Sequence, residues 1–447
     1  MASSDPRLPV ARRLGGMVSG SRLVRVLSYR DFRLLWIGAF ISFTGSWVQN
    51  VAQGYFVYRL TGSEAALALV SFCSSVPVFL FAFLAGTMSD AFDKRKVLTI
   101  AMLCLSAASL FMSAATYFGF VRYWHIVCVA LFVGLVGCVE MPTRQSIVSR
   151  VVPAEDLAAA VPVNAMTFNV ARIFGPAIGG VILSTMGVPL CYLTNGITFI
   201  ALIWAVRAIQ ADLTPHPREA QPIRDLLFEG MRYTMRDGRL KTLFFLETIT
   251  AAAGLAYITL LPAFVEQVMG LGLEPAKKAL GMAYTCVGIG ALIGLLVITQ
   301  LAHSEKKGTI IRAAMWTIGF GLITLSVARS PWVAYPVFGL VGMSTIAQFN
   351  TTNALFQMLS PERLRGRVLA MHIWALNGLS PFGILFFGWL AHTTRETGYF
   401  HVLSVDIKVA NTGVSLALQV GGAMMLLGAL GATLSRNGLS NLRPMKG

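Results

Sequence analysis

The sequence predicts an all-α polytopic membrane protein with about twelve transmembrane helices in two six-helix pseudo-repeats. An apolar composition, a series of long charge-free runs and a weak internal repeat predict it. Of 447 residues, 55% are hydrophobic and only 13% charged, with a mean hydropathy of +0.68. Soluble domains of this length do not show that balance.

Leu34 to Tyr58 and Ala65 to Ser89 carry no charge. A helix needs about 20 apolar residues to cross hydrocarbon, so each run is long enough to span once. A short charged turn separates the second run from a third that begins at Val97. The same criterion places crossings near residues 34–59, 65–89, 97–118, 124–147, 158–185 and 188–209, then 241–268, 276–302, 309–328, 332–359, 364–392 and 412–434.

Charge placement orients these segments. All but eight of the 36 Lys and Arg lie in the N-terminal tail, in the turns after the second, fourth, sixth, eighth and tenth crossings, and in the C-terminal tail. Basic residues concentrate in loops that stay in the cytoplasm, so both termini are expected there. The net charge of +16 then reads as topology and not as a nucleic-acid surface. Residues 1–30 form a polar, basic tail without the apolar core of a secretory signal, so insertion is expected to use the first crossing. The six cysteines are scattered without Cys-x-x-Cys spacing, which predicts small packing residues, with no disulfide framework and no metal site.

The repeat has a shift of about 205 residues. Gly134-Leu-Val-Gly137 recurs as Gly339-Leu-Val-Gly342, Val163-Asn-Ala-Met166 as Val368-Leu-Ala-Met371, Pro176 as Pro381, and Arg30-Asp-Phe-Arg-Leu34 as Arg236-Asp-Gly-Arg-Leu240. The expected organisation is a tail (1–30), a first six-helix bundle (31–209), a linker (210–239), a second bundle (240–435) and a C-terminal tail (436–447). Pro215, Pro217 and Pro222 mark the linker as exposed. Within it Ile223, Leu226, Leu227, Met231 and Thr234 share one helical face, which predicts an amphipathic helix at the membrane interface.

The turn after the second crossing carries the most specific motif. Gly86-x-x-x-Asp90 followed by Lys94-Arg95-Lys96 resembles the loop motif of the major facilitator superfamily of transporters. The usual pattern has a basic residue directly after the Asp and a Gly three positions after it, where this chain has Ala91 and Asp93. Phe92-Asp93-Lys94-Arg95 and the linker stretch Glu229 to Asp237 instead resemble the branch of enterobactin exporters and macrolide efflux permeases. The resemblance implies the major facilitator fold, alternating access, a small-molecule cargo, a protein sufficient as a monomer, and a bacterial cytoplasmic (inner) membrane with its lipids as surroundings.

An ionisable group at the centre of a membrane helix costs about 3 kcal/mol or more, so each one marks a pathway, a pair or a helix end. Glu140 and Arg144 flank Pro142 in the fourth crossing. By the resemblance Glu140 would meet Arg95 or Lys94, and Asp90 would face the start of the eleventh crossing near Leu364, locking the cytoplasmic side. Proton carriage by Glu140 and simple topology anchoring are the other readings. The fifth crossing holds Gly175-Pro176-Ala-Ile-Gly179-Gly180, which resembles the antiporter motif of superfamily exporters but lacks its earlier glycines. Read physically, these residues give a bend and close helix packing.

Arg172 is either a cavity cation for an anionic group or a coupling carboxylate, or a structural residue paired with a helix carbonyl. Glu247 is a proton-site candidate in the seventh crossing. His372 titrates in the right range but, standing alone, is more simply a packed histidine. Glu266 is expected in solvent. Trp47, Asn50, Gln53, Asn350, Asn353, Trp374 and Asn377 supply amides and aromatic rings for an amphipathic cargo.

No phosphate-binding loop, Gly-x-Ser-x-Gly or His-Glu-x-x-His is present, so neither an enzyme nor a cofactor is expected. The expected function is secondary active export of a siderophore, a macrolide or a similar drug-like molecule, by antiport against protons. The alternatives are a lipid or lysolipid flippase of the same fold, a membrane receptor, or a lipid enzyme.

Overall fold

The computed structural model describes residues 25–215, 223–301, 304, 306–397, 399–402, 405–408 and 413–434. The first bundle contains α1 (Arg30–Thr61), α2 (Glu64–Ala91), α3 (Lys94–Tyr117), α4 (Tyr123–Val151), α5 (Leu157–Thr185) and α6 (Val188–Ala208). The linker forms α7 (Ile223–Arg236). Eleven helical segments among the described residues are long and apolar enough to cross a membrane. Helix α1, 32 residues long and richer in Ser, Gln and Asn, packs along α5 and α6 and completes the set.

The helices outrun the charge-free stretches because polar residues cap them. Ser63 accepts from the Ala66 amide (3.2 Å), and Asp93 accepts from the amides of Arg95 (2.8 Å) and Lys96 (3.1 Å). Each such cap contributes about 1 kcal/mol. Gly62 turns α1 into α2 at φ +61°, a conformation that favours glycine. The duplicated Arg-Asp signature diverges in use. Asp237 caps the next helix through the Arg239 and Leu240 amides, whereas Asp31 accepts from the amides of Gln210 and Ala211 and ties α1 to the chain leaving α6.

Two crossings of the second bundle depart from the uninterrupted helices expected there. The seventh runs as α8 (Gly238–Ile249), a π-helical turn (Thr250–Gly254) and α9 (Ala256–Gln267). The eleventh runs as α13 (Arg365–Ile373), a π turn (Trp374–Gly378) and α14 (Ser380–Thr397). They meet at this depth: a β-carbon on Gly383 would lie 2.3 Å from the Ala252 carbonyl oxygen. The remaining helices are α10 (Leu273–Gln300), α11 (Lys307–Leu325), α12 (Pro331–Leu359) and α15 (Val414–Leu434). Before α15, β1 (Tyr399–Val402) and β2 (Val405–Lys408) pair antiparallel with Tyr399 opposite Lys408. This hairpin occupies the long polar segment for which no structure was read from sequence.

Within the bundles α2 packs on α4, α3 on α6, α10 on α12, and α11 on α12 and α15. Between them α5 packs on α10 and α2 on α14. These two pairings are the same pairing under the internal repeat, second crossing against fifth, exchanged between halves. Large apolar side chains such as Trp204, Phe320 and Leu427 stay exposed on the outside, as a chain solvated by lipid requires. The linker helix docks on α13: Glu229 pairs with Arg367, and a β-carbon on Gly230 would lie 2.6 Å from the Arg367 carbonyl oxygen. The side chains of Ile223, Leu226 and Leu227 lie outside the described residues.

Candidate functional site

Glu247 and His372 stand far apart in the sequence, and the fold brings them together. Asp237 starts α8 and so sets Glu247 just before the first π turn; His372 precedes the second. The Glu247 carboxylate oxygen Oε2 lies 2.7 Å from His372 Nδ1, with both side chains almost fully buried. The other carboxylate oxygen, Oε1, has no hydrogen-bond partner among the described residues. Phe356 of α12 closes the imidazole from one side, its ring centroid 5.5 Å away. One turn on, Gln348 of α12 donates to the Thr250 hydroxyl (2.6 Å), which donates to the Leu246 carbonyl (3.0 Å). A buried carboxylate beside an imidazole can hold, share or release a proton, and a change in its charge is felt strongly where water is scarce.

The first bundle has no charged counterpart. At the repeat's shift His372 corresponds to Thr167 and Glu247 to Ser42. The polar cluster of its helices α1, α3 and α6 is neutral: Gln49 Oε1 accepts from Ser109 (2.8 Å) and from Asn195 (2.7 Å). These residues border a cavity of ≈ 190 Å³ that Ser42, Ser46, Asn50 and Glu140 also line. Asn50 is exposed and Gln53 half-buried. Arg172 lies over the Trp47 ring, 5.6 Å from its centroid, with Tyr257 of the second bundle as its electrostatic neighbour. It has no carboxylate partner among the described residues. Trp47 in turn touches Tyr284 across the bundle interface, ring centroids 6.4 Å apart.

The expected contact of Glu140 with Arg95 or Lys94 is replaced. Glu140 accepts from Arg144 Nε at 2.7 Å, one turn along the same helix, and the Arg144 guanidinium sits 4.1 Å over the Phe43 ring. Arg95 donates instead to the carbonyls of Ile209 (2.7 Å) and Ala211 (3.2 Å), at the exit of α6. The Lys94 amide donates to the Leu213 carbonyl, and its side chain is buried. The physical reason is proximity: carbonyls at a helix end are closer acceptors than a carboxylate on α4 that already has its own cation. Asp93 is engaged as the α3 cap. Gly86 and Asp90 fall in α2, with side chains outside the described residues.

The Gly-Pro-x-x-Gly-Gly stretch is used for contact on both sides of α5. β-carbons on Gly175 and Gly179 would come within 2.4 Å of Trp47 and 3.0 Å of Val48 on α1. A β-carbon on Gly180 would lie 2.9 Å from the Cα of Gly281 on α10, across the bundle interface. Asn377 lines a second, apolar cleft of ≈ 210 Å³ with Phe79 and Trp374, between α2 and the eleventh crossing. Asn350 donates to its own helix at Ile346, and Asn353 accepts from Gln357. Glu266 is exposed, as expected.

One polar cluster was missed. Glu64, Tyr58, Gln267, His392 and Arg395 meet at the end of the molecule opposite the first and last described residues. Each reads in sequence as an ordinary polar helix end. The one available signal is that Glu64 follows Gly62-Ser63 in a turn too short to carry it into solvent.

A two-bundle membrane fold with a repeat-related interface and a central buried polar site defines a transporter class. The chain belongs to the family described as transmembrane secretion effector, within the major facilitator superfamily, matched over residues 24–436. It is 25% identical over 373 residues to the staphyloferrin A transporter of Staphylococcus aureus, covering 82% of this chain and 91% of that one. It is 24% identical over 409 residues to the enterobactin exporter EntS of Salmonella typhimurium, covering 89% and 91%. Among solved structures, the nucleoside transporter NupG superposes with a TM-score of 0.68 at 15% identity, covering 90% of this chain and 97% of that one. A D-xylose-proton symporter superposes at 0.66 with 15% identity, covering 94% and 100%. These structures share the fold. The chain is thus a multi-pass membrane transporter related to siderophore transporters and exporters.

Proposed function

We propose that this transporter is a secondary active exporter of a small amphipathic organic molecule, of siderophore, macrolide or similar drug-like type, working by alternating access and driven by inward proton flow. The observation that carries the reading is a division of labour. A buried carboxylate–imidazole pair, Glu247 and His372, stands in the second bundle, and Arg172, a central cation without a carboxylate partner among the described residues, stands in the first. The pair takes up and releases the proton; Arg172 attracts an anionic group where the cargo carries one, and Trp47 gives it an aromatic face. Both termini lie in the cytoplasm of a bacterial inner membrane, which puts the Tyr58–Arg395 end outside. The name of the enterobactin exporter supports outward transport of a siderophore, and the glycine stretch of α5 agrees with an exporter.

The test is accumulation of siderophores and macrolides in everted membrane vesicles, with and without a proton gradient, in the wild type and in Arg172→Ala. Gradient-dependent uptake of one compound, lost or weakened about tenfold or more in the variant, is expected. Uptake indifferent to collapse of the gradient would remove proton coupling, and no uptake across the panel would move the search to lipid cargo.

A further inference from the structure

Glu64 opens α2 at the outer end and is wholly buried. Its Oε1 accepts from Gln267 Nε2 and lies 3.2 Å from Arg395 Nη1, while its Oε2 lies 3.4 Å from His392 Nδ1. The Tyr58 hydroxyl accepts from Gln267 (2.7 Å) and from Arg395 Nη1 (3.0 Å), and Arg395 Nη2 donates to the Gly62 carbonyl. Gln267 Oε1 accepts from the Val414 amide (3.3 Å) at the start of α15. Glu396 stands 3.5 Å from His392 Nε2 on the exposed side. Tyr58, Gly62 and Glu64 belong to the first bundle, and Gln267, His392, Arg395 and Val414 to the second. Among the described residues no other side-chain hydrogen bond or ion pair joins the two bundles, which meet through contacts such as Gly180 on Gly281, Phe79 on Trp374 and Lys277 over the Tyr55 ring.

We propose that Glu64 and Arg395, positioned by Gln267, Tyr58 and His392, form the outer latch of the transporter: an ion pair between a buried carboxylate and a partly exposed guanidinium that holds the outer mouth shut and parts each time the cargo is released. The inference rests on the alternating-access reading. Separating the bundles must break the pair, because its members sit on opposite sides of the interface. Water entering the open mouth then replaces the lost partners of both charges. In the closed state a carboxylate left without its cation stays buried and uncompensated, so loss of Arg395 penalises the closed state alone. Loss of the Glu64 charge is milder, since the Arg395 fork retains Tyr58 and Gly62. The two losses are therefore non-additive: removing the orphaned charge undoes part of the damage of removing its partner.

The test is a distance distribution between spin labels on Tyr117→Cys and Trp332→Cys, exposed outer-end residues of the two bundles, in the full chain with its six native cysteines replaced. Arg395→Ala is expected to raise the long-distance, outward-open population about tenfold or more. Glu64→Gln should raise it a few-fold, and the double variant should fall below Arg395→Ala alone. Arg395→Lys keeps the cation and should stay close to wild type, which guards against a folding defect in the alanine variant. Unchanged distances in monodisperse Arg395→Ala, or a double variant more open than either single one, would overturn the latch. The readout needs no cargo: the stated shifts without any transport would leave the latch standing and remove the export reading.

Discussion

The Glu247 carboxylate and the His372 imidazole, 125 residues apart in the chain, share a 2.7 Å contact in the buried centre of the second bundle. Each neighbours a π turn, and the two π turns pack on each other. A change of charge on either side chain would therefore act where two crossings already depart from regular helix.

Glu247→Gln keeps the shape and removes the charge. We expect gradient-driven accumulation in everted vesicles to fall about tenfold or more, while exchange of labelled for unlabelled cargo across proteoliposomes without a gradient continues. Equal loss of both activities would assign Glu247 to folding or to cargo binding. His372→Ala leaves the carboxylate buried without its partner, and its thermal unfolding temperature in detergent should drop further than that of Glu247→Gln.

Gly180 has no room for a side chain, since its β-carbon would sit 2.9 Å from Gly281 Cα. Gly180→Ala is expected to cost about 1–3 kcal/mol and to depress transport more than binding, because the contact lies between the bundles. Gly431, on α15, faces open space. Gly431→Ala is the matched control and should leave melting temperature and transport unchanged or slightly raised.

Asp93 sits in the loop motif, yet its carboxylate serves the start of α3. Asp93→Ala should lower stability by about 1 kcal/mol and leave the maximal transport rate within about twofold. Asp93→Asn or Asp93→Ser, which still cap, should restore the melting temperature. A collapse of transport at unchanged stability would make Asp93 a gate residue.

Asp237, outside the membrane-spanning segments, gives a pH dependence. Burial pushes its carboxyl up, but the Arg239 guanidinium and the amides of Arg239 and Leu240 outweigh it, leaving the group below its ordinary value. A depressed folded pKa stabilises above the unfolded value of about 3.9 and is lost as pH falls through the folded one. The melting-temperature difference between wild type and Asp237→Asn should thus be present at about pH 7 and shrink towards zero below about pH 3.

The twelve crossings were legible because spanning hydrocarbon imposes a length of apolar chain that nothing else in a sequence imitates. Helix ends were legible to within a few residues, and the differences come from caps such as Asp93 and from the Ser63 turn. The π turns were not legible: Thr250-Ala-Ala-Ala-Gly254 has no feature that separates it from plain helix. Nor was the meeting of Glu247 with His372, which depends on how α8 and α13 are rotated about their axes. The outer cluster stayed hidden for the opposite reason. Polar residues at helix ends are what solvent exposure also produces, and only packing tells a buried Glu64 from a solvated Glu266. The Glu140 expectation failed locally, because the nearest cation to Glu140 is on its own helix.

A π turn is a helix with one residue too many for its length. If the turn at Trp374–Gly378 tightened to regular α geometry, that surplus would reappear as about 1.5 Å of added axis and about 100° of rotation in everything beyond it. His392 and Arg395 lie beyond it on the same crossing, and His372 lies just before it. The eleventh crossing thus joins the Glu247–His372 pair to the Glu64–Arg395 pair like a screw: a fraction of a turn at one end would swing the Arg395 fork away from Glu64 at the other.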